Sequence, residues 1–296
     1  MKNAIGQIHF PVLSTEVVSF LKIDPKGIYC DGTVGLGGHA EKIIQKLSTE
    51  GHLIGIDKDE NAISLCKKRL NSSRFTKISL FNDSFVNAKT LFEKIGVKKV
   101  NGFLLDLGMS SMQLDSPIRG FSFNSKSPLD MRFDVSQSLT ANNIVNGFSF
   151  FNLANIIYNY GEERNSRRIA KSILSYRPIK NVEALASAIN KVTHPRHRNK
   201  TLSRVFQAIR IEVNNELKNL EQILDLFIDL LKSGGRIVII SFHSLEDRLV
   251  KKKFKKLSDS NQLNVLSKKP IMASDLELKL NTRSRSAKLR AGEKIS

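Results

Sequence analysis

The sequence predicts an α/β protein whose mainly parallel sheet is interrupted by an all-helical insertion. Three observations carry this. In the first third, short apolar runs alternate with segments of helical spacing, the pattern of strands joined by crossover helices. From about residue 118 to residue 221 convincing strand patterns stop and amphipathic helical ones remain. The α/β pattern returns at a Gly-Gly turn followed by an apolar run.

Taken in order, strands are expected at 27–31, 52–57, 77–82 and 101–107, each an apolar run bounded by polar or turn residues. Helices at 40–47, 60–70 and 86–95 have the length that parallel crossovers need. In the insertion, helical spacing covers 150–159, 166–175, 182–192 and 201–223. A helix ending near Leu231, the turn Ser233-Gly234-Gly235 and a strand at 236–242 follow. The expected domains are therefore a core of 1–117 with 223–296, and an inserted helical domain of 118–222.

Composition narrows the function classes. The chain has 296 residues, 41% hydrophobic and 25% charged, so it can bury a core and is not a disordered chain. The best candidate for a membrane span, 223–231, is broken by Asp225 and Asp229, and no stretch approaches the roughly 18 uninterrupted apolar residues that a span needs. The opening MKNAIGQIHFPVL has no apolar signal core. A cytoplasmic protein with no membrane partner is expected. Two cysteines, Cys30 and Cys66, make neither a disulfide framework nor a four-ligand zinc site, and no metal is expected.

The 47 Lys and Arg against 28 Asp and Glu give a formal charge of +19, and the excess is segregated. Residues 118–222 carry 16 basic against 8 acidic side chains and residues 248–296 carry 14 against 4, while 1–117 and 223–247 are almost neutral. Solvated charge runs are common, but two separate basic blocks suit a polyanion, whose counterions Lys and Arg replace.

The segment DGTVGLGGHA at 31–40 follows the first strand and opens a helix. Glycines there permit a tight turn and close approach of a ligand to the backbone. Asp57 ends the second strand, where a carboxylate can accept hydrogen bonds from ribose hydroxyls. Read as Gly35-x-Gly37-x-x-Ala40, the loop is a dinucleotide fingerprint. Read as an acidic strand end followed by a Gly-rich turn, it resembles the S-adenosylmethionine loop of Rossmann-like methyltransferases. Phe85 and Asp106 follow or end the third and fourth strands, so Asp57, Phe85 and Asp106 should converge on one crevice beyond the strands' carboxyl ends.

Longer blocks carry a family resemblance. HFPVL at 9–13, DGTVGLGGH at 31–39, DLGMSSMQLD at 106–115, RGFSF at 119–123 and PLDMR at 128–132 occur in order, followed by YGEER at 160–164, FQAIRIEVN at 206–214, SFHSLED at 241–247 and RSRSAKLR at 283–290. Together they resemble the bacterial 16S rRNA cytosine N4-methyltransferases along almost the whole chain. The resemblance implies a class I methyltransferase core and an S-adenosylmethionine site of Gly37, Gly38, His39, Asp57, Phe85, Asp106 and Gln113. It implies a cytosine of the decoding region, near the P-site, in 16S rRNA of the small ribosomal subunit as substrate, with the insertion as substrate-recognition domain. A homodimer is compatible with it. Met112 departs from the family, where proline is frequent.

An exocyclic cytosine amine is a poor nucleophile, so catalysis must orient it and accept its proton over about 2.6–3.2 Å. The Asn- or Asp-Pro-Pro-aromatic motif of many amino-methyltransferases is absent after the fourth strand. The candidate acceptors are Asp106, Asp130, His243 or a backbone carbonyl of the 106–111 loop. Methylation at cytosine C5 would need a Cys nucleophile, and Cys30 in a strand and Cys66 in a helix argue against it.

Each candidate has a structural alternative. Asp130 and Arg132 read equally as an internal ion pair, and Ser244-x-x-Asp247 beside His243 as a capping box. His194 and His197 have metal-like spacing without a carboxylate or Cys companion, and among Arg196, Arg198, Lys200 and Arg204 they read as an RNA-facing segment. Phe121 and Phe123 suit either stacking of a flipped base or anchoring of a core. Two rival functions fit the sequence: an NAD-dependent oxidoreductase on the same glycine loop, and a noncatalytic rRNA-binding assembly factor.

Overall fold

The computed structural model describes residues 11–71 and 76–295; His9 and Phe10 of the first motif lie outside the described residues. The chain divides into two compact units, one of Met1–Gly108 with Leu217–Ser296 and one of Met109–Glu216.

The first unit runs α1 (Ser14–Leu21), β1 (Ile28–Asp31), α2 (Gly38–Ile44), β2 (His52–Asp57), α3 (Glu60–Leu70), β3 (Lys77–Asn82), a 3-10 turn at Phe85–Asn87, α4 (Ala88–Lys94) and β4 (Val100–Asp106). The second holds α5 (Ser111–Asp115), α6 (Ala141–Gly147), α7 (Phe150–Gly161), α8 (Ser166–Ser175), α9 (Val182–Lys191), a 3-10 turn at Pro195–His197 and α10 (Arg198–Asn214). The chain then continues through α11 (Glu216–Leu230), β5 (Leu231–Ser241), α12 (Ser244–Asp259), β6 (Leu263–Val265), α13 (Asp275–Leu280), a 3-10 turn at Thr282–Ser286 and β7 (Lys288–Lys294).

The seven-stranded sheet has the order β3-β2-β1-β4-β5-β7-β6. The first five strands in that order are parallel, β7 pairs antiparallel with β5, and β6 antiparallel with β7. Alternation along β4 sends Phe103 and Leu105 into one core, with Phe227 and Phe254, and Leu104 into the other, with Leu13, Val17 and Val238. Both sheet faces are thus covered, as a parallel sheet requires. Chain order reverses between β1 and β4, the switch point where doubly wound sheets open a crevice. The α/β class with a mainly parallel sheet is as the sequence predicts.

The antiparallel β6–β7 extension is not among the expected elements, because β7 reads as the charged run KLRAGEK. Its charges are accounted for by pairing: Arg290 Nε donates to Asp247 Oδ1 at 2.6 Å, and Glu293 Oε2 accepts from Arg236 Nε at 2.7 Å. The single helix expected over 201–223 is two helices, α10 and α11, separated at Asn215, which takes the left-handed φ of 52°. Asn214 fixes that break: buried, it donates through Nδ2 to the Met131 carbonyl at 2.8 Å and accepts from the Phe133 N–H at 2.7 Å. The turn at 233–235 lies within the span of β5, opposite a register shift between Val100 and Gly102.

The described residues of the helical unit hold no strand. Its core joins Leu153, Ile157, Ile169, Ile173, Val205 and Ile209. Phe121 and Phe123 are core anchors here, Phe121 stacked on Phe133 at 5.6 Å and Phe123 edge-on to Phe206 at 5.9 Å. Gly120 sits at φ +72°, and a Cβ there would lie 2.3 Å from the Pro128 carbonyl oxygen. Backbone strain and overpacking together predict that Gly120→Ala destabilises this unit by roughly 2–5 kcal/mol. A denaturation midpoint within error of wild type would refute that. No helix among the described residues is long and apolar enough to cross a membrane.

Candidate active site

The site grows from the ends of three adjacent strands. β1 ends at Asp31, β2 at Asp57 and β4 at Asp106, and β1 lies between the other two. The glycine loop stitches these ends together. The Thr33 N–H donates to Asp31 Oδ1 at 3.2 Å, and Thr33 Oγ1 accepts the Asp106 N–H at 2.6 Å. The Gly35 N–H donates to Asp57 Oδ2 at 2.8 Å, while Asp57 Oδ1 accepts from Asp59 N–H at 2.9 Å. Gly35 and Gly37 have φ of +50° and +81°, and a Cβ at Gly37 would meet Cys66 Sγ at 3.0 Å. The loop therefore needs glycine both for its conformation and for its packing on α3.

His39, in the first turn of α2, is buried with Nε2 3.5 Å from Asp106 Oδ2. Among the described residues neither of its ring nitrogens makes a hydrogen bond, nor do Asp31 Oδ2 and Asp106 Oδ1, although all four atoms are buried. Unpaired buried polar atoms in a native protein call for a ligand or water. Burial pushes the Asp31 carboxyl up to about 7, partly offset by His39 and the Thr33 N–H. Burial also raises Asp57, to about 6, against the opposing Asp59 and Gly35 N–H groups. For His39 burial alone favours the neutral ring, but Asp106, Asp31 and Glu277 outweigh it and raise its pKa.

Three carboxylates facing one imidazole are an environment for a ligand that carries positive charge and hydroxyl donors. S-adenosylmethionine, with a sulfonium, an ammonium and a ribose diol, fits this donor set. A dinucleotide fits less well, since Asp31 and Asp106 would face its pyrophosphate with His39 as the one basic group beside them.

The remaining expected site residues divide. Gly38 opens α2, where a Cβ would press on Pro11 at 3.2 Å. Phe85 starts the 3-10 turn after β3, half-buried against the core that contains Phe103. Gln113 belongs to the helical unit and is buried, its Oε1 accepting the Ser110 N–H at 3.0 Å in the capping box of α5. Asp130, also in that unit, is held by Arg132, which donates through Nη2 at 2.7 Å and Nε at 3.1 Å. Arg132 reaches on to the carbonyls of Val135 and Gln137, each at 2.7 Å, so the pair braces a loop. His243 is the N-cap of α12: its Nδ1 accepts the Glu246 N–H at 3.4 Å, and Glu246 Oε2 accepts the Phe242 N–H at 2.9 Å. The capping box at this corner is thus His243 with Glu246 rather than Ser244 with Asp247.

Two contributors escape the sequence reading, and a third, Asp31, enters it only as the acidic strand end of the glycine loop and not as a site residue, although it stands at its strand end just as Asp57 and Asp106 do. Thr33, inside the glycine loop, ties β1 to β4. Glu277 carries no local signal: it lies in α13, and its Oε1 accepts the N–H of Leu13, a left-handed residue at φ 52°, over 2.8 Å.

The chemistry these groups accept places the chain among the Rossmann-like methyltransferases that use S-adenosylmethionine. Residues 6–295 match the MraW methylase family, and the chain belongs to it. It is 45% identical to the Ribosomal RNA small subunit methyltransferase H of Caldicellulosiruptor bescii, covering 97% of this chain and 99% of that one. It is 44% identical to the protein of the same name from Kosmotoga olearia, with 100% of both chains covered. Among solved structures it is similar to a putative rRNA-methylase from Clostridium thermocellum, at 13% identity and a TM-score of 0.49, over 97% of this chain and 100% of that one.

Proposed function

We propose that the protein transfers the methyl group of S-adenosylmethionine to the exocyclic N4 amine of a cytosine in 16S rRNA of the small ribosomal subunit, in the cytoplasm. The observation that carries this is the full-length identity to methyltransferases named for small-subunit rRNA, joined to strand ends suited to a cationic cofactor. When bound, S-adenosylmethionine supplies an electrophilic methyl. Asp57 would accept from its ribose hydroxyls, while Asp31 and Asp106 would face its positive charge.

The acceptor of the amine proton is Asp106 on this reading. Its Oδ1 makes no hydrogen bond among the described residues and lies in the strand-end cluster, whereas Asp130 is held by Arg132, and His243 has Nδ1 engaged in its cap and Nε2 turned to Glu246 Oε1 at 3.2 Å. The Asp106 carboxylate would take the N4 proton as the amine gains the methyl, with S-adenosylhomocysteine as the other product. Attack through a cysteine, as C5 methylation requires, has no support. Cys30 and Cys66 are both buried, and burial drives the Cys30 thiol well up and the Cys66 thiol to about 12.

The test is to incubate the protein with isotope-labelled S-adenosylmethionine and small subunits from a strain lacking the enzyme, then resolve the digested nucleosides by mass. Label in N4-methylcytidine is expected. Binding of cofactor without label in any nucleoside would favour the noncatalytic reading, and no cofactor binding would overturn the site.

A further inference from the structure

Within the helical unit, the end of α7 meets the starts of α8 and α10 at one buried carboxylate. Glu163, only 3% exposed, accepts the Asn165 N–H through Oε1 at 3.0 Å. Its Oε2 lies 3.3 Å from Arg204 Nη1 and 3.5 Å from Thr201 Oγ1. Gln207 Nε2 adds a bond to the Tyr160 carbonyl at 2.8 Å. The turn that enters α8 is thereby fixed against the first turns of α10. Arg204, which the sequence groups with the RNA-facing residues, is drawn into this brace instead.

The two segments so joined carry exposed cations: Arg164, Arg167 and Arg168 on one, Arg196, Arg198 and Lys200 on the other. Among the described residues none of the six has a carboxylate within ion-pair distance, although Lys126, Arg132 and Arg210 of the same unit each have one. The adjacent acid Glu162 is exposed, and the other, Glu163, is buried in the brace. Unpaired like charges held close together repel one another unless a polyanion neutralises them. Tyr158, one helical turn before Glu162, is 59% exposed, an aromatic at the same helix end. Cations on a rigid support bind an RNA strand through its phosphates, and an exposed aromatic on the same unit can stack a base.

We infer that this braced edge of the helical unit, formed by Arg164, Arg167, Arg168, Arg196, Arg198 and Lys200, grips the phosphate backbone of the substrate rRNA. The inference rests on the proposed function and adds to it the surface that holds the substrate. Glu163 is a positioning residue, since it touches the brace and not the RNA.

The test is the affinity of the full-length protein for small ribosomal subunits, measured across a series of KCl concentrations. The proteins compared are wild type, the quadruple variant R167Q/R168Q/R196Q/R198Q, and a charge-matched control, K251Q/K252Q/K255Q/K256Q, on the exposed face of α12. The edge variant is expected to bind about 10- to 1000-fold more weakly, with a log–log salt slope shallower by about 0.7–0.9 for each phosphate it no longer neutralises. Its S-adenosylmethionine affinity and thermal midpoint are expected to stay at wild-type values. The control is expected to be weakened much less. Equal weakening in both variants would mean that net charge alone drives binding and would overturn the edge. An edge variant with wild-type affinity and slope would overturn it too, while leaving the proposed function intact. Wild-type protein that bound no rRNA at any salt would overturn both. Glu163→Gln is expected to weaken binding while leaving all six cations in place, which a purely net-charge effect would not do.

Discussion

Replacing Asp57 with alanine is expected to weaken S-adenosylmethionine binding by about a hundredfold. Hydrogen bonds to a charged group contribute roughly 1.5–3 kcal/mol, and a ribose diol offers two donors to one carboxylate. The same substitution also reaches the fold. Asp57 already accepts the N–H groups of Gly35 and Asp59, and Asp59 caps α3 through the Asn61 N–H. Alanine removes both acceptors, at a cost of about 1–3 kcal/mol for each donor left unsatisfied. Relief from burying a carboxylate whose pKa is pushed up to about 6 offsets part of that. Asp57→Asn separates the two effects, because its one oxygen can still accept a backbone N–H while the paired charge-assisted contacts to ribose are gone. Calorimetric titration with thermal unfolding in parallel is the measurement. Asparagine is expected to recover stability without recovering affinity. Wild-type affinity in the alanine variant would remove Asp57 from the cofactor site.

How much of this was legible in the sequence depends on how local each determinant is. β2, β3, α3 and α8 fall at 52–57, 77–82, 60–70 and 166–175, the ranges that periodicity alone predicts. Their apolar residues meet a core directly, so burial and pattern coincide. The break between α10 and α11 was not legible, since helical spacing runs on through it. What stops the helix is Asn214 hydrogen-bonding to Met131 and Phe133, far away in sequence. β7 was hidden for a similar reason, its charges being matched by Asp247 and Arg236. At the site, strand-end carboxylates and glycines are readable because topology alone brings them together. The roles of Phe121, Phe123 and Glu277 are not, because each is decided by a partner that spacing does not reveal.

Stability of the cofactor-free protein is expected to fall as pH rises from about 4 to about 7, and Asp31→Asn is expected to flatten that fall. Asp31 has an ordinary value of 3.8 and is pushed by burial up to about 7. Within that window the folded state keeps a proton that the unfolded state has released. Its contribution is therefore full below 3.8 and is lost as pH rises through about 7. Asp57, raised from 3.8 to about 6, acts with the same sign over a shorter interval. His39, also raised, extends the effect above its ordinary 6.5. Asparagine at 31 keeps an oxygen for the Thr33 N–H and removes one titration, worth on the order of a few kcal/mol across the window. A cationic ligand reverses the preference, since it favours the ionised carboxylate. Binding of S-adenosylmethionine should then release protons near pH 6.5 and tighten between pH 6 and pH 8. In Asp31→Asn the affinity should be lower and this pH dependence weaker. Titrations in two buffers of different ionisation enthalpy count the protons directly. Zero protons released by wild type, or an asparagine variant with the wild-type pH profile, would show that Asp31 does not face the cofactor's charge.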